Sequence, residues 1–115
     1  MQIYHATNSH LFCGHWNGSP LEIGLTGLMR GVPRREAYHY HDYHEYYVIL
    51  RGRGRLKVEG RAVPLEPNTV VMIQPGERHR VVWVDPDEGI QWLILKERSA
   101  PDSKVVVRED ERGTA

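Results

Sequence analysis

Downstream of Glu45 every apolar run is cut short by glycine, proline or asparagine, and this punctuation leaves room only for short extended segments. Glu45 to Leu50, Arg55 to Glu59, Arg61 to Leu65, Thr69 to Ile73, Arg80 to Asp85 and Ile90 to Lys96 are rich in β-branched, aromatic and aliphatic residues. Turn residues fall between them at Arg51 to Gly54, Gly60, Pro67 to Asn68 and Pro86 to Gly89. Upstream, Leu21 to Met29 sets Leu21, Ile23 and Leu25 against Glu22, Gly24 and Thr26, the two-residue period of a half-buried strand. No segment places apolar residues at i, i+3, i+4 and i+7 over a useful length, so almost no helix is expected. The pattern predicts an all-β antiparallel meander or barrel, and 115 residues suffice for one such domain but not for two.

The flanks differ from this centre. Residues 1–19 read as an irregular arm with room for one short strand, marked by turn residues at Asn8, Ser9, Asn17 and Gly18. Residues 98–115 read as a polar tail in which Lys104 to Arg108 (KVVVR) is the candidate for an added edge strand, available to pair with a neighbouring subunit. Fifteen basic residues balance fifteen acidic ones, so no net field draws the chain to nucleic acid or to an anionic membrane surface. The single cysteine, Cys13, excludes an intrachain disulfide and a thiolate-rich zinc site, and fits a reducing compartment. The start carries no secretory signature, and no apolar run reaches the ~20 residues of a membrane span, so a cytoplasmic location is expected.

Chemistry concentrates in Tyr38 to Leu50, YHYHDYHEYYVIL, which holds three of the chain's seven histidines and a glutamate. Side chains alternate along a strand, so His39, His41 and Glu45 share one face. Two imidazoles and a carboxylate suit a divalent first-row metal, and a further nitrogen must come from elsewhere; His79 is the one histidine downstream. A bulge at Asp42 and Tyr43 would turn His44 inward, which leaves His41, His44 and Glu45 as an alternative ligand set. His5, His10 and His15 recur at a spacing that fits neither strand nor helix face and read as separate solvated side chains, and Cys13 reads as a buried side chain. Tyr38, Tyr40, Tyr43, Tyr46 and Tyr47 form an aromatic cluster, part of which must face outward as an oligomer interface or rim.

These residues make the chain resemble the cupin superfamily of small β-barrels. His39, His41, Glu45 and Gly52 fall at the spacings of the first cupin motif, GxxxxxHxHxxxExxxxxxG, and Gly76 and His79 at those of the second, GxxxxxPxGxxHxxxN. Pro33, Asn68, Gln74 and Trp83 stand where the motifs carry glycine, glycine, proline and asparagine. The resemblance covers residues 20–97 and implies an antiparallel jelly-roll-like barrel of six to eight strands, with one metal ion held by His39, His41, Glu45 and His79. Iron, manganese, nickel and zinc all suit such a set, because no soft ligand is present. Cupin relatives are often dimers, and a homodimer is expected.

Parity carries Tyr47 and Ile49 inward with Glu45, and Val81 and Trp83 inward with His79; Val71 and Ile73 line the same interior, so these six form the expected substrate pocket. Tyr47, His44 and Glu77 are the candidates by position for an acid or base. Arg34 and Arg35, at the barrel mouth, are placed to contact a substrate carboxylate, whereas Arg51, Arg53 and Arg55 read as a solvated hairpin face. One of Gln91 and Trp92 faces the interior. The resemblance implies a metal-dependent enzyme acting on a small polar molecule, either a dioxygenase or a Lewis-acid isomerase, lyase or cyclase. The other class is a non-catalytic module that binds or senses a small ligand, since fold alone does not choose.

Overall fold

Ten strands carry the fold in the computed structural model, which describes residues 1–5, 11–26, 30, 37–101 and 104–108. They are β1 (Leu11–Cys13), β2 (Glu22–Leu25), β3 (His39–Tyr40), β4 (Glu45–Gly52), β5 (Gly54–Val58), β6 (Arg61–Leu65), β7 (Val70–Ile73), β8 (His79–Val84), β9 (Ile90–Lys96) and β10 (Val105–Val106). A 3-10 turn at His15–Asn17 is the sole helical element among the described residues, and no helix there is long and apolar enough to cross a membrane. The strands form two five-stranded sheets, in the orders β1-β2-β9-β4-β7 and β10-β3-β8-β5-β6, with antiparallel pairing throughout. The strand number exceeds the expected six to eight because β1, β3 and β10 are edge or near-edge pieces of two or three residues. The KVVVR segment finds its partner within the chain: Val105 pairs with Tyr40 and Val106 with His39.

Consecutive strands change sheets at Gly52, where β4 ends and β5 begins in the opposite layer. Gly52 has φ 83°, and a β-carbon there would lie 1.9 Å from the carbonyl oxygen of Gly89. Only glycine fits a backbone that is both left-handed and pressed against another strand.

Cross-strand register lays out the interior row by row. Glu22, Lys96, Glu45 and Ile73 oppose one another across β2, β9, β4 and β7. The next inner row is Gly24, Ile94, Tyr47 and Val71, and beyond it Trp92 faces Ile49. Tyr47, Ile49, Leu56, Leu65, Ile73, Val81, Val84, Ile90 and Trp92 fuse into one core between the sheets. The outer face of the first sheet carries two rows of apolar residues: Ile23, Leu95, Tyr46 and Met72, then Leu25, Leu93, Val48 and Val70.

Besides a register shift between Leu11 and Cys13 on β1, two bulges interrupt the alternation of the core strands. Ile49 and Arg51 oppose adjacent residues Trp92 and Gln91, so Leu50 is extra, and Val82 is extra where Val81 and Trp83 oppose Leu56 and Arg55. Each bulge hands the inward face to the other parity. Val81 and Val84 are therefore buried while Trp83 faces outward, with the Arg55 guanidinium 5.2 Å from its ring. This corrects the expectation that Trp83 lines the interior.

Candidate metal centre

Two neighbouring strands bring the histidines together. His39 on β3 lies directly opposite His79 on β8, and His41 follows β3 by one residue. One ligating atom from each of His39, His41 and His79 lies within 4.8 Å of the others, and all three residues are buried. This group can hold a metal ion. Glu45, at the start of β4 in the other sheet, is not one of that group but approaches two of its members from across the barrel: its Oε1 lies 3.0 Å from His79 Nε2 and 3.6 Å from His41 Nε2.

The far side of each ring is engaged. His39 Nδ1 donates to the Ala37 carbonyl at 2.6 Å and His79 Nδ1 to the Glu77 carbonyl at 2.9 Å, while the Tyr43 hydroxyl lies 3.1 Å from His41 Nδ1. The two carbonyls fix the tautomer and ring orientation of His39 and His79 and leave Nε2 to ligate, while the Tyr43 hydroxyl, able to donate or accept, orients the ring of His41. For a neutral His79 this makes Nε2 an acceptor facing the carboxylate oxygen of Glu45. Two buried acceptors at 3.0 Å repel unless a proton or a metal ion lies between them, so the donor set fits a cation.

Electrostatics point the same way. Burial, with lesser contributions from His79, Lys104 and His41, lowers the pKa of His39 to about 4 against a weaker opposing hydrogen bond to Ala37. The ring is therefore neutral at pH 7, the protonation state that binds metal. Burial opposes ionisation of Glu45, but a proton shared with His79 Nε2, together with the positive fields of His41, His79 and Lys96, outweighs it and holds the carboxyl below its ordinary pKa.

The family described as Cupin domain matches residues 29–95. The chain belongs to the cupin family. A curated glucose-6-phosphate isomerase of Pyrococcus abyssi is 31% identical over 78% of this cupin, which spans 59% of that relative's length. Solved structures resemble it in fold at lower identity. A cupin 2 domain-containing protein from Halorhodospira halophila has a TM-score of 0.70 at 19% identity, covering 90% of this cupin and 69% of its own chain. A Streptomyces nucleoside dehydratase scores 0.69 at 15% identity over 94% of this cupin and 92% of its own chain. The polyketide cyclase RemF from Streptomyces resistomycificus scores 0.64 at 17% identity, covering 98% and 89%.

The sequence candidates sort by position in this cupin. Tyr47 is buried beside the cluster, stacked on Trp92 at 5.1 Å and edge-on to His79 at 6.5 Å. His44 does not join it: no bulge turns the ring inward, and Nδ1 pairs with Glu97 at 3.0 Å on the barrel's outside. The ring thus stands apart from His41 and Glu45, the residues it would join in the alternative set His41, His44, Glu45. Glu77 is spent on its own turn, where Oε1 accepts the Gln74 amide at 2.7 Å. Ile49, Ile73 and Val81 are buried in the core, with Val71 packed against it. Arg34 and Arg35 lie outside the described residues, and Arg51, Arg53 and Arg55 are exposed as expected.

Register settles the choice on β9. Gln91 turns out, donating to the Thr26 carbonyl at 3.1 Å, and Trp92 turns in, where its buried Nε1–H has no hydrogen-bond partner among the described residues. Sequence reasoning missed Lys96 altogether. A lysine ending an apolar strand reads as solvated, yet here it opposes Glu45 directly; only an alignment of β9 against β4 could have revealed it.

Proposed function

We propose that this cupin is a metal-dependent enzyme that rearranges a small polar molecule without redox chemistry, as an isomerase, lyase or cyclase. The observation that carries the reading is the buried cluster of three imidazoles, each with its Nδ1 engaged, facing an ionised carboxylate. On this reading His39, His41, His79 and Glu45 hold one divalent ion, iron, manganese, nickel or zinc. When bound, such an ion supplies Lewis acidity that polarises a carbonyl oxygen. The preference for chemistry without redox draws support from the relatives, which are named as an isomerase, a dehydratase and a cyclase.

The remaining parts of the site follow from the chain. The apolar rows around Tyr47, Ile94 and Val71 exclude water from one side of the cluster. Trp92 Nε1–H is a donor that a substrate oxygen would satisfy, and a buried donor left unmatched costs about 1–3 kcal/mol. Tyr47, held between Trp92 and His79, is placed to carry a proton to or from the substrate. Protein loaded in turn with manganese, nickel, zinc or iron should exchange the α-hydrogen of a hydroxy-carbonyl substrate with solvent deuterium, followed by NMR over a panel of sugars and keto acids, without consuming dioxygen. Dioxygen uptake by the iron form would overturn this in favour of a dioxygenase. Saturable binding with neither exchange nor conversion would identify a sensing module.

We also propose a homodimer, through a surface to which Tyr46 alone of the tyrosine cluster contributes. Tyr38, Tyr43 and Tyr47 are buried and Tyr40 and Tyr46 half-buried, so little aromatic surface remains. The apolar rows outside β2, β9, β4 and β7 support the pairing, with Val70 60% and Met72 48% exposed. Light scattering should give twice the chain mass for the native protein and the chain mass for Met72→Lys.

A further inference from the structure

Lys96 points into the barrel. It shares its row with Glu22 and Glu45, and the same parity on β9 carries Ile94 and Trp92 inward. A lysine there must be compensated, because burial penalises its charge. Its Nζ lies 3.1 Å from Glu22 Oε2, and Ser99 Oγ donates to the other oxygen of Glu22 at 3.2 Å, which anchors the pair. Burial would lower the pKa of Lys96, but Glu45, Tyr43 and Glu22 outweigh it and raise the pKa, so the ammonium persists.

Two further observations set this group apart from a packing device. The Lys96 side chain is 20% exposed, against 0% for His79 and 4% for His41 and Glu45, so it is open to solvent where the residues it adjoins are not. The formal charges are also unbalanced. Glu22 and Glu45 together outweigh Lys96 by one negative charge, and a divalent ion at the histidines reverses this to one net positive charge. One carboxylate neutralises that excess, whereas the dianion of a phosphate monoester overshoots it.

We propose that Lys96, braced by Glu22, is the recognition point for a substrate carboxylate, which makes the substrate a small hydroxy or keto acid. This rests on the metal-dependent reading above. The Lys96 ammonium donates to the carboxylate while the rest of the molecule reaches toward Tyr47 and Trp92.

The test is calorimetry on zinc-loaded protein of verified metal content, titrated with glycerate, glycerol phosphate and glycerol. Glycerate should bind the native protein more tightly than either other probe. Lys96→Met should weaken glycerate by about tenfold or more, as expected for a lost charge-assisted contact, and leave glycerol unchanged. Lys96→Arg should restore much of the loss. Removing one member of a buried pair can unfold a protein, so Lys96→Met combined with Glu22→Gln serves as a second variant. It keeps the net charge of the site but lacks the ammonium, and it should also bind glycerate weakly. Native-like glycerate affinity in either methionine variant, or no glycerate binding by native protein, overturns the proposal. Tighter binding of glycerol phosphate than of glycerate, lost with Lys96, overturns the carboxylate assignment in favour of phosphate. Failure of native protein to take up zinc sinks the metal-dependent reading itself, a result recorded before any anion is added.

Discussion

Replacing His79 with alanine should abolish stoichiometric metal uptake, taking the metal content of purified protein from about one ion per chain to near zero by ICP mass spectrometry. His79 is fully buried, pairs with His39 across the sheet and touches Glu45 across the barrel, so its loss would remove one of the proposed ligands and unseat two more. A merely supporting residue costs a metal site about ten- to a hundredfold in affinity, and a ligand costs more. His44→Ala is the matched control, because that ring lies outside the barrel on Glu97 and its loss should leave metal content unchanged. Loss of the ion should also lower the melting temperature, since a ligand bound only by the native state stabilises it by mass action. Full metal content in purified His79→Ala would rule out the proposed ligand set.

The second large effect is expected at Gly52, where alanine should destabilise the fold by about 3 kcal/mol or more in urea unfolding. Two costs combine there. The left-handed φ of 83° disfavours any β-carbon by about 1–2 kcal/mol. The added carbon would also strike the backbone of the adjoining Gly89–Ile90 peptide, with the Gly89 carbonyl oxygen at 1.9 Å, its carbon at 2.6 Å and Ile90 Cα at 2.7 Å. None of these atoms can swing away as a side chain would. Gly76 separates the two costs: it has φ 82°, and a β-carbon added there would meet nothing within 4 Å, so Gly76→Ala should cost only about 1 kcal/mol. Equal losses at the two glycines would show that backbone conformation, and not the strand contact, governs the corner.

The histidine segment was legible because spacing and parity are local quantities. His39, His41 and Glu45 fall within one short stretch at a recognisable spacing, and the second motif supplied His79; the shared strand face expected of them is instead divided between two sheets, because the chain crosses from β3 to β4 between His41 and Glu45. The all-β class was legible for the same reason, since interrupted apolar runs exclude long helices. Parity then failed wherever the ladder took an extra residue. Val82 lies in an unbroken apolar run, RVVWV, and nothing in its composition marks the bulge that sends Trp83 outward. Lys96 was illegible for a different reason: its role depends on which strand lies beside β9, a pairing between residues far apart in sequence. The partner of Val105 and Val106 belongs to that same class, and sequence suggested a neighbouring subunit where β3 of the same chain stands.

The order in which the sheets interleave bears on how the site comes into being during synthesis. A chain emerging from the ribosome as far as His79 already carries all three imidazoles and Glu45, yet β9, which lies between β2 and β4, has not been made. Until it arrives, β4 has an open edge on that side, and long-range pairing of this kind is slow and exposed to aggregation. β9 also brings Lys96 against Glu45 and Trp92 against Tyr47, and only later does β10 cover the edge of the strand that bears His39. The surroundings of the three imidazoles and Glu45 are thus completed by strands made after them, so a metal ion bound there would be captured late and would report a finished barrel.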